Sequence, residues 1–203
     1  MSQFIESIQC LNGKIQLLDY HQQRVERTFS HFNLTRKINL ESLIKYSELP
    51  PNGCFKIRIV YNFEGQYNIE IQPYKRTYHQ SFELIEADID YPFKYENREV
   101  FHQLKCQSSA EEIIITQKGY ITDTSYSNLI FFKEKENEWF TPKSFLLNGV
   151  QRQHQIHQHQ IKIVDIHQQD LKNYTHFKLI NAMNDLETSY TYPIESIINL
   201  LKF

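Results

Sequence analysis

Glycine is scarce, with five in 203 residues. Nucleotide loops of the GxxxxGK[ST] kind, strand-linked GxGxxG turns and GxSxG nucleophile elbows need glycines at fixed spacing. None of the three patterns occurs, so those readings have no local support. Cysteine is equally thin. Cys10, Cys54 and Cys106 lie far apart with no CxxC pair, so neither a disulfide framework nor a zinc site is indicated. Charge of one sign is lacking too: 22 Lys and Arg against 24 Asp and Glu leave a net −2 with His neutral. No basic face recommends nucleic acid or an anionic membrane as partner. No stretch approaches the ~18 apolar residues of a membrane span, and "MSQFIESIQC" carries an acid and no apolar run. No signal peptide or span is expected. Three reduced thiols suit a cytosol, where the sequon at Asn33 has no glycosylating context.

What is present reads as an α+β chain, longer than the usual ~100 to 150 residues of one domain. "FIESIQC", Asn12-Gly13 and "KIQLLD" predict a β-hairpin, because Asn-Gly readily supplies the two positive φ angles of a type I′ turn. Asp19 is placed to cap a helix "YHQQRVERTFSHF", with Val25, Phe29 and Phe32 as its apolar stripe. Asn39 caps a second helix, expected to run through "LESLIKYSEL" to Pro50-Pro51. "FKIRIVY", "QYNIEIQPY" and "FELIEADI" read as strands, with Glu64-Gly65 as a turn. After "DIDYPFK" the pattern restarts with a helix from about Tyr95 to Lys105. Strands "EEIIIT", "NLIFFKE" and "EWFTP", a loop "KSFLLNG", a Gln/His-rich helix, strand "IKIVDI", a short helix "QQDLKNY" and strand "FKLINAM" follow. The division is drawn as two α/β lobes, 1–88 and 89–203.

Several stretches could carry chemistry. In "QRQHQIHQHQ", His154 and His157 are one helical turn apart, but without acid or thiolate at ligand spacing they read as a solvated helix face, not a metal site. His21, Arg24 and Thr28, at i, i+3 and i+7, put a cation and two hydrogen-bonding groups on one stripe, which read alone is surface charge. Lys94 sits among Tyr91, Pro92, Phe93 and Tyr95, where aromatic surroundings can desolvate an ammonium and lower its pKa. Such a lysine can attack a carbonyl, although a lone one more often snorkels. "GYITDTSYSNLIFF" puts seven polar or small residues between two apolar runs, which alone could be an ordinary loop.

Taken in order, His21-x-x-Arg24, Lys94, "ITDTSYSN" at 121–128, "TP" at 141–142 and "LLNGVQR" at 146–152 resemble the class IV aminotransferases, the pyridoxal-phosphate enzymes of fold type IV. The resemblance spans about residues 4 to 190. It implies a two-lobed fold like that of D-amino-acid and branched-chain aminotransferases, with the cofactor between the lobes and Lys94 on the C-terminal one. Lys94 then holds pyridoxal 5′-phosphate as a Schiff base and moves protons, and Arg24 grips its phosphate. Val150 and Gln151 hold the same phosphate through backbone N–H groups at a helix start, which tolerates Gln151 where the family has threonine. Leu147 packs on the pyridine ring. Asp123 stands where the family has the glutamate that keeps the ring nitrogen protonated, one methylene shorter, and Thr124 replaces a glycine. Ser125 and Asn128 match small polar positions, and Asn181 and Ala182 belong to the same cofactor-binding set.

"KLINAM", residues 178–183, and "HQQRVERT" are more similar to 4-amino-4-deoxychorismate lyases than to transaminases. That implies elimination of pyruvate to leave 4-aminobenzoate, with an amino-acid aminotransferase and an inactive homologue serving as a binding protein as the alternatives. The resemblance further implies a small amine substrate, a homodimer, a cytoplasmic location and no nucleic-acid or membrane partner.

Overall fold

In the computed structural model, residues 3–35 and 38–200 are described. The chain divides into two compact units, 1–76 with 93–97, and 77–92 with 98–203. Lys94 therefore belongs to the first unit.

The first unit is a four-stranded antiparallel sheet with two helices. Its strands are β1 (Phe4–Leu11), β2 (Lys14–Ile15), β3 (Cys54–Tyr61) and β4 (Tyr67–Pro73), in the order β2-β1-β3-β4. Asn12 at φ 49° and Gly13 at φ 75° make the expected left-handed turn between β1 and β2. The chain then bends through Leu17 at φ 53°, and α1 (Leu18–His31) begins there. Asp19 thus lies in the first turn, where its charge suits the helix dipole, and does not cap it. Val25 and Phe29 pack on Phe4, Ile8, Ile57 and Ile59 of the sheet, while Phe32 lies past the helix end and is partly exposed. Asn39 does cap α2 (Leu40–Ile44), its side chain accepting from Ser42 N at 2.7 Å. That helix stops well short of Pro50, because beyond Ile44 it has no buried residue to dock: Lys45 and Tyr46 are exposed.

The second unit is a larger mixed sheet. It runs β10 (Lys162–Val164), β9 (Glu138–Pro142), β8 (Asn128–Lys133), β7 (Tyr120–Thr124), β6 (Glu112–Gln117), β5 (Phe82–Glu86), with β11 (His176–Ile180) on β8 and β12 (Thr191–Pro193) on β11. Two pairs, β5–β6 and β9–β10, are parallel. Phe82, Ile114, Leu129, Phe131 and Phe177 form the core. The helix expected from Tyr95 is shorter, α3 (Glu99–Cys106), because Tyr95 bridges Phe4 and Arg98 is the N-cap. The Gln/His-rich helix is α4 (Val150–His157), and it is less solvated than expected: Gln151, Arg152 and Gln155 are buried. "QQDLKNY" forms a 3-10 turn at Gln168–Asn173.

Candidate active site

In the first unit the residues of interest converge on β1. Side chains alternate along a strand, so Phe4, Glu6, Ile8 and Cys10 share one face, and that face is the core. Glu6 is the acid on that face, 0 % exposed. From α1, Arg24 reaches it side-on, Nε to Oε1 at 2.8 Å and Nη2 to Oε2. His21 Nδ1 lies 2.5 Å from the same Oε2. A carboxylate only accepts, so Nδ1 carries the hydrogen, and the 3.4 Å approach of Arg24 Nη2 to Nδ1 is a contact of two donors. Burial alone would raise the Glu6 carboxyl. The Arg24 charge and the hydrogen bonds from His21 and Arg24 together outweigh it and hold the group down at about 2. Burial lowers the pKa of His21, so its ring is neutral and Nε2 is an acceptor, buried without a partner. What the spacing suggested as a surface stripe is buried ion chemistry: His21, Arg24 and Thr28 are all inside.

Lys94 runs beside this cluster. Its carbonyl accepts from Ile5 N at 2.9 Å, and Glu96 N donates to Gln3 O at 2.9 Å. The side chain is half-buried, flanked in sequence by Phe93 and Tyr95, both of which pack against Phe4. Its charge is among those that lower the His21 pKa. Lys94, His21, Arg24 and Glu6 thus form one electrostatic group.

In the second unit the polar stretch 122–128 is not loop filler. Thr122, Asp123 and Thr124 are strand residues of β7 and Asn128 opens β8, leaving a three-residue turn. Thr124 closes that turn, its N donating to Ser127 O at 2.9 Å and its hydroxyl accepting from Ser127 N at 3.0 Å. It is extended, with no positive φ, so a β-branched residue fits at this bend. Ser125 acts through its backbone, its N donating to the buried Glu112 at 3.1 Å and its carbonyl accepting from Arg98. The hydroxyl built into the wall is that of Ser127, which accepts from Asn181 Nδ2 at 2.8 Å. Asn181 in turn accepts from Met183 N at 2.8 Å, across a tight turn that carries the half-buried Ala182.

Asp123 is the hub of this wall. Its Oδ2 accepts from Leu146 N and Leu147 N, both at 2.9 Å, and its Oδ1 accepts from Asn128 Nδ2 at 2.7 Å. Three of roughly four acceptor positions are filled, leaving one for a further donor. Burial raises the carboxyl to about 6, only partly offset by those bonds and by the Arg152 charge. Asn128 also donates to Leu147 O at 2.9 Å. The turn so pinned leads through Gly149 into α4, whose first internal bond runs from Gln153 N to Gly149 O. The N–H groups of Val150, Gln151 and Arg152 precede it and point out of the helix start. Arg152 fixes the turn from behind, donating to Thr141 Oγ1 at 3.2 Å, Pro142 O at 2.8 Å and Asn148 Oδ1 at 3.0 Å. A surface cleft of about 360 Å³, lined in part by Lys143, Phe145, Asn148, Arg152 and Ile156, includes none of the expected cofactor residues.

Each unit carries donors that suit a phosphorylated pyridine aldehyde. The first has a primary amine and a buried guanidinium, of the kind that meet an aldehyde and a phosphate; the second has an uncapped helix start and a buried acid ionised at neutral pH, of the kind that meet a phosphate and a ring nitrogen. Among the described residues no group of three His, Cys, Asp or Glu could hold a metal ion, and no helix is long and apolar enough to cross a membrane. Glu6, Glu112, Ser127, Arg98 and Arg152 had no assigned role in the sequence. Two of them left a signal there: Glu6, an acid in phase with Phe4, Ile8 and Cys10, and Arg152, the last residue of "LLNGVQR".

The architecture is that of fold type IV pyridoxal-phosphate enzymes. The branched-chain amino acid aminotransferase of Escherichia coli superposes with a TM-score of 0.71 over 98 % of this chain and 77 % of that one, at 14 % identity. The crystal structure of a 4-amino-4-deoxychorismate lyase candidate from Haemophilus somnus 129pt is nearer, with TM-score 0.84, 34 % identity, and coverage of 92 % of this chain and 98 % of that one. An uncharacterized Haemophilus influenzae protein is 36 % identical over 191 residues, 92 % of this chain and 100 % of the relative. Residues 94–186 match the family Amino-transferase class IV. The chain belongs to the class IV aminotransferases, a family of pyridoxal-phosphate-dependent enzymes.

Proposed function

We propose that this protein is a lyase of the 4-amino-4-deoxychorismate type, eliminating pyruvate to leave 4-aminobenzoate. The supporting observation is the near-full-length likeness, at 34 % identity, to the Haemophilus somnus protein that bears that name. The "KLINAM" segment, with Asn181 bonded into the wall through Ser127, agrees with it.

Bound pyridoxal phosphate supplies an aldehyde that captures the substrate amine and a ring that accepts the electrons released at the adjacent carbon. Lys94 Nζ is the amine that would hold the aldehyde carbon, and as a free amine it would take the proton from the substrate carbon bearing the nitrogen. Arg24 would bind the phosphate by charge and paired N–H donors, and the N–H groups of Val150 and Gln151 would donate to it as well. Asp123 would use its remaining acceptor position for the ring N–H, oriented by Asn128. Leu147 would pack on the ring, and Ser125, Asn181 and Ala182 would complete the wall. The working form in this reading is a cytoplasmic homodimer.

Two measurements test this. Added pyridoxal phosphate should give a visible absorption band that borohydride bleaches and that Lys94→Ala lacks; no band would sink the enzyme reading. Aminodeoxychorismate should then yield pyruvate with no amino acceptor present. A requirement for a 2-oxo acid would instead identify an amino-acid transaminase, which the family also contains.

A further inference from the structure

Glu6 is fully buried, yet no step above uses it. We propose that Glu6 is a positioning residue for the cofactor phosphate: it clamps the inner edge of the Arg24 guanidinium so that the outer edge is held in one orientation for phosphate. This rests on the assignment of Arg24 to the phosphate.

The geometry is directional. A guanidinium has two edges with paired donors, one made by Nε and Nη2 and one by Nη1 and Nη2. Glu6 takes the first with both oxygens, and that grip fixes the plane of the group as a single bond could not. The second edge faces away from Glu6 by covalent geometry. Glu6 is itself held from two sides, by its place in β1 and by His21 Nδ1 at 2.5 Å on Oε2. Arg24 is tied to the same helix turn as His21, and Thr28 Oγ1 donates to Arg24 O at 2.9 Å. The acid therefore acts on phosphate through the arginine.

Charge alone makes the opposite forecast. A carboxylate beside an anion site repels phosphate, so removing its charge should tighten binding. Positioning requires that removing it weaken binding. The sign of the effect separates the two.

The experiment measures dissociation constants for pyridoxal 5′-phosphate and for pyridoxal, which lacks the phosphate, by equilibrium dialysis. The ratio of the pyridoxal constant to the pyridoxal phosphate constant reports what the phosphate contributes. In Glu6→Gln the ratio should fall by about tenfold, the size of one charge-assisted hydrogen bond. Arg24→Lys should lower it similarly, and the double variant should lose little more than either single one, because both remove the same grip. Glu6→Asp keeps the buried charge but withdraws it by a methylene, should show the same fall, and decides the matter if Glu6→Gln does not fold. A ratio unchanged or raised in the Glu6 variants while Arg24→Lys lowers it would overturn the inference alone. A ratio unmoved by Arg24→Lys would overturn the phosphate role of Arg24, and the inference with it.

Discussion

Asp123 shows how a short buried acid can be largely committed within the protein. It ends on the backbone of Leu146 and Leu147, accepts from Asn128, and has one acceptor position left. It is one residue doing two tasks. Burial raises its carboxyl to about 6, so it is ionised at neutral pH and becomes protonated as the pH falls through that value. A protonated acid cannot accept from a ring N–H. Affinity for pyridoxal phosphate should therefore fall as the solution is acidified through about pH 6, and Asp123→Asn should bind weakly without that dependence. The cofactor phosphate also titrates near pH ~6, so the quantity to compare is the ratio of wild-type to variant dissociation constants, in which the ligand's own titration cancels. A constant ratio would remove Asp123 from the ring nitrogen. The stretch "ITDTSYSN" stood out in the sequence; the backbone bonding of Asp123 did not, because those two partners lie 23 and 24 residues away.

At the scale of elements, the polar strand was harder to read than the apolar ones. Thr122, Asp123 and Thr124 have the composition of a loop, yet β7 is buried because each side chain has a hydrogen-bonding partner. Pattern reading follows hydrophobic alternation, so satisfied polar burial escapes it, whereas Asn12-Gly13 was legible because its backbone preference is local. Helix lengths were misread for the opposite reason: α2 ends where docking ends, not where propensity does. The turn before α4 carries two predictions. Gly149 has an ordinary φ of −66°, but a Cβ there would lie 2.1 Å from Asn128 Oδ1. Gly149→Ala should displace Asn128 and free Asp123 and Leu147 O from it. Cofactor affinity should drop about tenfold, as for one lost hydrogen bond to a charged group. Asn128→Ala should then add little in the double variant, as binding titrations of the two singles and the double would show. Arg152 is buried and bonded to three groups, so Arg152→Ala should destabilise the protein by about 3 kcal/mol, with Arg152→Lys intermediate, in urea denaturation.

Across the whole molecule, the family was legible and the charge balance inside it was not. Five short motifs in order identified the class IV aminotransferases, but the same pattern cannot show that the first unit encloses an ion cluster. The two units carry buried acids shifted in opposite directions. Glu6 in the first is held down at about 2 from 4.5. Its folded pKa is depressed, so the stability it contributes is present above about 4.5 and lost as the pH falls toward about 2, roughly 3 kcal/mol in all. Asp123 in the second is raised from 3.8 to about 6. Its contribution is complete below 3.8 and lost as the pH rises through about 6. Acidifying the cofactor-free protein from neutral pH should thus first strengthen the second unit through Asp123, while the first begins to weaken below about 6.5 because the buried, neutral His21 takes up its proton less readily folded than unfolded. Below about pH 4, Asp123 contributes no further change and Glu6 adds its own loss in the first unit. Amide hydrogen exchange, with rates corrected for intrinsic pH dependence, reads each unit separately. Protection should rise on β6, β7 and β8 between about pH 7 and 5 and collapse on β1 and β3 between about pH 4 and 2. Glu6→Asp, with its shorter reach and weaker grip, should shift that collapse toward higher pH. Equal loss in both units at every pH would mean that the chain opens as one cooperative body and that neither acid sets its local stability.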